Sequence, residues 1–326
     1  MVGKSHKHLF AGFLQSKFGI FFVTFFVFNA LALYGIFFFF QSSSLAAFVA
    51  KYPLLDPMRH FMEEKNIITT LQPIRLKFRD IIEKNGPNSI SLYFEYLNTG
   101  ANISINPDLR ILPASLIKVP LAMAVMKKVE RGEWFLSNEL VMMKDDRDTN
   151  WGDVHKRPIG STITIQKLLE EMLLNSDNTA YRILYRNMSF DDLQDVLIKL
   201  GLEDLFNEEG KMSSKEYTRL IRALYAATYL DPNSSQFLLD ILARTSYDEY
   251  LGQGVPDTVK FSHKIGENVD EKVISDSGVV YVEGRPYLIS VMIDYNDIGH
   301  DRALQVLKDI SQTGYDYIST AQYEKN

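Results

Sequence analysis

Three short stretches of this chain hold side chains able to do acyl-transfer chemistry. The first is Ser115-Leu116-Ile117-Lys118, the one Ser-x-x-Lys in the sequence. Residues three apart on a helix share a face, so the amine of Lys118 can reach the hydroxyl of Ser115. Serine attacks a carbonyl only when a base takes its proton. Lysine becomes that base when burial and a cationic neighbour lower its pKa. The second stretch is Ser176-Asp177-Asn178. Ser176 offers a hydroxyl that can relay a proton, Asn178 an amide that can orient a substrate carbonyl, and Asp177 a structural acceptor. The third is His263-Lys264-Ile265-Gly266. Lys264 can hold a substrate carboxylate, and Gly266 lets a backbone N–H come close to a reacting carbonyl. Each stretch alone is a common accident of helix surfaces, turns and strand edges. Their order along the chain carries more information than any one of them.

The elements that position these residues follow from hydrophobic periodicity. Residues 72–85 place Ile74, Phe78, Ile81 and Ile82 at helical spacing, and Asn85-Gly86-Pro87 stops that helix. Residues 89–97 and 101–106 read as two strands joined through Asn98-Thr99-Gly100. Ser115 opens an apolar helix to Val129, in which Pro120 predicts a kink. Residues 163–174, 191–200, 214–230 and 236–244 read as helices, with a break at Asp231-Pro232-Asn233. Residues 259–266, 273–282 and 287–294 are rich in β-branched and aromatic residues and read as strands. Residues 301–320 read as a closing helix. Strands gathered at both ends of a run of helices predict an α+β fold with an antiparallel sheet and an all-helical part.

The ordered set of motifs resembles the penicillin-recognising serine enzymes, the class A β-lactamases above all. Arg110-Ile111-Leu112-Pro113-Ala114-Ser115 is similar to that family's lead-in to the nucleophile. Ser176-Asp177-Asn178-Thr179-Ala180 has the class A wording in full, 61 residues after Ser115. Residues 276–281 and Gly284-Arg285-Pro286-Tyr287 resemble the family's last strands. The likeness covers roughly residues 70–322. It implies that Ser115 is acylated, with Lys118 as its base or part of the relay. Ser176 would pass the proton to the leaving nitrogen, Asn178 would hold the substrate amide and Lys264 its carboxylate. Gly266 would allow the close approach beside it. The oxyanion hole would be the N–H groups of Ser115 and Glu267, and no metal or organic cofactor is needed. The implied substrates are β-lactams or the D-alanyl peptides they mimic. Trp151 falls where the family often puts a rim aromatic, though a half-buried surface tryptophan is an equal reading. His155, His263 and His300 are too scattered to form a metal set.

Two departures bear on chemistry. The step from Ser176 to Lys264 is 88 residues, shorter than in class A, and residues 201–217 contain no Glu-x-x-Leu-Asn, the wording around the deacylating glutamate. Glu208 and Glu209 are the nearest stand-ins, although surface glutamates there are the commoner case. The expectation is acylation with slow hydrolysis, closer to a D,D-peptidase than to an efficient lactamase. A non-catalytic penicillin-binding envelope protein is a further alternative. The second departure is Ile265, where the family carries a hydroxyl worth about 1.5–3 kcal/mol against a charged carboxylate. Ser262 and His263 lie close enough in sequence to compensate.

Composition limits the remaining classes. The chain has 326 residues, 46% hydrophobic, and no cysteine, which excludes disulfides, Cys-ligated metals and a thiol nucleophile. Its formal charge of -6 argues against a nucleic-acid partner. Residues 18–40 carry no charge and hold ten of the 21 phenylalanines. That run is long enough for a transmembrane anchor of about 20 residues. Lys4, Lys7 and Lys17 precede it and predict a cytoplasmic basic stub over 1–17, with everything after residue 41 outside. A cleaved signal peptide is the competing reading, since Ser42–Ser44, Ala46 and Ala47 follow. Residues 41–70 then read as a stalk and 71–326 as a monomeric catalytic domain. Beyond residue 40 the chain carries 32 basic and 41 acidic residues, a charge of -9.

Overall fold

The apolar N-terminal run folds as one long helix, α1 (Lys17–Lys51). The structure, a computed structural model, describes residues 17–68, 70–203 and 210–321. Most of the expected basic stub therefore lies outside the described residues, as do Glu208 and Glu209. Helix α1 belongs to a first unit, Met1–Glu64, and its phenylalanines from Phe18 to Phe28 are exposed. Among the described residues no helix is long and apolar enough to cross a membrane, so the expected crossing is not carried by the structure. The helix also runs on past residue 41 through stretches read from sequence as stalk.

The second unit, Lys65–Asn326, holds the motifs. It opens on buried Ile68 and Leu71, then on α2 (Gln72–Asn85), whose Ile74, Phe78 and Ile82 are buried at four-residue spacing. Each such side chain contributes about 1.5–3 kcal/mol of burial. A hairpin follows, β1 (Ile90–Tyr96) and β2 (Ala101–Ile105). Next come α3 (Lys118–Glu130), a short ribbon of β3 (Glu139–Val141) and β4 (Thr162–Thr164), and α4 (Ile165–Leu174). The helical part is completed by α5 (Asn178–Arg186), α6 (Phe190–Leu200), α7 (Ser214–Tyr225) and α8 (Pro232–Leu242). Strands β5 (Phe261–Asn268), β6 (Val273–Val280) and β7 (Tyr287–Asp294) precede the closing helix α9 (His300–Thr320). The five long strands form one antiparallel sheet in the order β2-β1-β7-β6-β5, with β5 at the edge.

This is the α+β architecture that the motif order predicts, with several local differences. The helix expected to 230 stops at Tyr225, and Ala227 beyond it takes a positive φ of 48°. The break at Asp231-Pro232 is also a start. The Asp231 carboxylate caps α8 by accepting from the Ser234 N–H at 2.8 Å, and Pro232 sits in the first turn, where no N–H is needed. The two three-residue strands and α5 have no counterpart in the sequence reading.

Sheet alternation separates two cores. On β5, Phe261, His263 and Ile265 face the layer of α2 and α9, where Ile265 is 1% exposed. Ser262, Lys264 and Gly266 face the helical layer built around α3. That helix is buried without interruption from Lys118 to Met126, as a helix apolar on all sides must be.

Candidate active site

Ser115 does not open the α-helix, as its spacing suggests, but sits in a 3-10 turn, Ala114–Ile117, leading into α3. Ala114 before it holds a φ of 47°, a strained conformation for a residue with a Cβ. Pro120 falls in the first turn of α3 and produces no internal break. It does remove the N–H that a continuous helix would give to the Leu116 carbonyl. The hydroxyl of Tyr217, fully buried on α7, donates to that carbonyl at 3.0 Å instead. Tyr217 thus pins the turn that carries Ser115, and at 101 residues' separation no sequence spacing announces it.

Lys118 ends the turn. The residue is 2% exposed, and its amine lies within hydrogen-bond reach of Ser115 Oγ at 2.9 Å, Ser176 Oγ at 3.1 Å, Asn178 Oδ1 at 2.7 Å and the Ser176 carbonyl. Burial pulls its pKa from 10.5 down to about 7, against the opposing pull of Asp177 and Asp148. A neutral amine beside a half-exposed hydroxyl can take that hydroxyl's proton near neutral pH.

Lys264 reaches the same serine from β5, with its Nζ 2.9 Å from Ser176 Oγ. It is 1% exposed, and burial and the nearby Lys118 hold its pKa well below the usual lysine value. Ser176, with a φ of 51°, therefore bridges two amines through one hydroxyl oxygen. That oxygen can accept twice and donate once, the arrangement a proton relay needs.

The start of α5 fixes this geometry. Asp177 caps the helix by accepting from Ala180 N–H at 2.7 Å and holds the Val154 N–H at 2.8 Å. Its carboxyl pKa is raised by burial. Gly152 lies so close that an added Cβ would sit 2.0 Å from Asp177 Oδ2, so a side chain cannot fit there. The Asn178 N–H donates to the Trp151 carbonyl at 3.2 Å. Trp151 packs edge-on against Tyr247, is half-buried in its loop and lines the cleft.

Gly266 also serves a close approach within the fold. A Cβ there would meet the Pro113 carbonyl at 2.4 Å, so the glycine lets the nucleophile turn lie against β5. Glu267 follows it on the edge strand. Its carboxylate accepts from Tyr250 Oη at 2.6 Å and lies 2.9 Å from His300 Nε2. Ile265 cannot contact a ligand beside Lys264, because it points into the opposite core. Nor do its neighbours stand in for the missing hydroxyl. The Ser262 hydroxyl is spent on the Leu239 carbonyl at 2.8 Å, and buried His263 pairs with Asp276 at 2.9 Å on the far face.

A cleft of about 770 Å³ opens over these groups, lined by Ser115, Lys118, Asp148, Trp151, Asn178 and Glu267 among others. Among the described residues neither Ser115 nor Lys118 is hydrogen-bonded to a carboxylate, and no group of acidic or histidine side chains is arranged to hold a metal.

Comparison with known proteins gives concordant results. Residues 73–318 match the family described as "Beta-lactamase enzyme family". Beta-lactamase VEB-1 of Pseudomonas aeruginosa is 22% identical over 270 residues, covering 75% of this chain and 90% of its own. Extended-spectrum beta-lactamase PER-1 of the same organism is 22% identical over 237 residues, covering 65% and 77%. Among solved structures, a mutant of PBP-A in an acyl-enzyme complex with penicillin G superposes with a TM-score of 0.69 at 24% identity, covering 77% of this chain and 98% of that one. A beta-lactamase from Sphaerobacter thermophilus gives a TM-score of 0.68 at 21% identity, covering 76% and 98%. At these identities the structural likeness speaks for the fold.

Proposed function

Because the chain belongs to the Beta-lactamase enzyme family, we propose that it is a serine hydrolase or acyltransferase that takes the acyl group of a β-lactam, or of a D-alanyl peptide, onto Ser115. One observation carries the reading: a buried lysine, its pKa near 7, placed 2.9 Å from a cleft-facing serine hydroxyl.

In this reading neutral Lys118 accepts the proton of Ser115 as its oxygen attacks the carbonyl carbon. The oxyanion that forms is held by the N–H groups of Ser115 and Glu267, a type of contact worth about 3–4 kcal/mol of barrier. Collapse breaks the C–N bond. Ser176, in contact with both amines, hands a proton to the departing nitrogen and is reprotonated from Lys118. Lys264 attracts the substrate carboxylate, and Asn178 aligns its amide. The family's matching relatives are named as β-lactamases, which favours β-lactams as substrates. The missing Glu-x-x-Leu-Asn favours a long-lived acyl-enzyme, and with it the D,D-peptidase-like alternative.

A chromogenic cephalosporin given to the purified full chain separates the outcomes. One equivalent of rapid colour followed by slow release is the expected result. Fast, steady turnover would remove the slow-deacylation part of the reading, and no reaction would remove the reading itself.

The location is proposed on the sequence alone. The charge-free run 18–40 behind Lys4, Lys7 and Lys17 supports attachment to a membrane with the catalytic unit on the outer side. Recovery of the full chain in the soluble fraction after cell breakage would contradict attachment.

A further inference from the structure

Asp148 belongs to none of the three motifs, yet it lines the cleft with its side chain only 8% exposed. The Thr179 hydroxyl clamps its backbone on both sides, donating to the Asp148 carbonyl at 3.1 Å and accepting its N–H at 3.0 Å. Its carboxylate is fixed as well. Oδ2 receives the Arg182 guanidinium at 2.6 Å, and Oδ1 accepts from the Asn150 N–H at 2.9 Å and from Asn178 Nδ2 at 3.3 Å. On the other side of that amide, Asn178 Oδ1 accepts from Lys118 at 2.7 Å.

A side-chain amide has one accepting end and one donating end, and a half-turn exchanges them. Between an amine and a carboxylate only one orientation pairs both ends. The other sets the amide oxygen against the carboxylate and its NH₂ against the amine hydrogens. We propose that Asp148, held by Arg182 and Thr179, is a positioning residue that locks the Asn178 amide, committing one Nδ2 hydrogen to itself and leaving the other for a substrate carbonyl. This rests on Ser115 chemistry as proposed above and adds a group outside the motifs to it.

A plain structural role, a salt bridge tacking a loop onto α5, would leave the plateau rate of acylation alone, whereas the Asp148 charge acts on Lys118 in either case. The charged groups facing Lys118 are Lys264 from β5, Asp177 at the start of α5 and Asp148 from the loop, with Arg182 beyond Asp148. The Lys118 midpoint therefore reports the Asp148 charge, and the plateau rate of acylation reports the hold on Asn178. Asp148→Asn keeps the shape and the Thr179 bonds but loses the charge.

The test is the pH profile of acylation by a fluorescent penicillin, with the purified full chain, beside an NMR titration of Lys118 using ¹³Cε-labelled lysine. In Asp148→Asn the Lys118 midpoint is expected to fall by about half a pH unit or more. Acylation on the alkaline plateau is expected to drop about tenfold or more, because an amide oxygen turned to Arg182 sets its NH₂ against Asn178 and no longer holds that side chain in one orientation. Wild-type acylation on the alkaline plateau overturns the proposal, whether or not the midpoint moves. If the wild type takes no label, the Ser115 reading fails, while the lysine titration still reports the Asp148 charge. Should Asp148→Asn unfold, as circular dichroism would show, Arg182→Gln removes a cation from the same pair. With Asp148 no longer held, acylation on the alkaline plateau must then fall as well, and a wild-type rate overturns the proposal.

Discussion

The two faces of the sheet solve opposite problems. Toward α2 and α9 the layer is almost wholly apolar: Ile74 and Phe78 from α2, Phe94 and Tyr287 from the strands, Val306 and Ile310 from α9. The buried His263–Asp276 pair is its main polar inclusion. Toward α3 and α5 the same sheet buries two lysines within reach of one serine oxygen, beside residues held at positive φ at Ala114 and Ser176. Burying an amine lowers its pKa, for Lys118 to about 7, and the proposed acylation draws on that. The apolar face supplies stability that the cleft face spends, so changes to the two faces should fail in different ways.

The largest separation is expected from Lys118→Ala. Acylation should fall about a thousandfold through loss of the base, with the chain still folded. A variant that acylates within tenfold of wild type would move the base elsewhere. On the other face, Phe78→Ala should cost about 3–5 kcal/mol of stability and leave acylation of the folded protein unchanged, as denaturant melts and labelling rates would show. Loss of acylation without loss of stability would break the contrast.

A smaller effect concerns pH. In the proposed reaction acylation needs neutral Lys118, so its rate should rise about tenfold per unit up to pH 7 and then level off. Stability follows the same groups. Lys118 titrates at about 7 when folded and at 10.5 when unfolded, so between these values the unfolded chain binds more protons and stability rises with pH. Lys264, depressed by the same burial, acts in the same direction. Thermal melts at pH 7 and pH 9 should therefore show the higher midpoint at pH 9, and the reverse order would mean that Lys118 keeps its charge in the fold.

Much of this was legible in the sequence because it is written locally. Helix α2 matches its periodicity residue for residue. The five long strands stand where β-branched runs and Gly-containing turns place them, and Ser115, Lys118, Ser176, Asn178 and Lys264 meet because their motifs occur in a familiar order. Helix α5 escaped because its N-terminus is the Ser-Asp-Asn motif, whose residues also suit a turn. The orientation of Ile265 was open to the period-two rule, since a residue next to Lys264 on a strand must face away from it. Tyr217 and Asp148 gave no signal. Their partners, the Leu116 carbonyl and the Asn178 amide, lie 101 and 30 residues away and are brought close only by the folding of the helical layer.

The central claim is that Ser115 Oγ becomes acylated. Intact mass spectrometry of the full chain after exposure to penicillin G, run beside Ser115→Ala, tests it most directly. The account predicts a single adduct of the intact drug's mass on the wild type, mapped to the peptide containing Ser115, and none on the variant. An unmodified wild type, or an adduct that survives in Ser115→Ala, would contradict it.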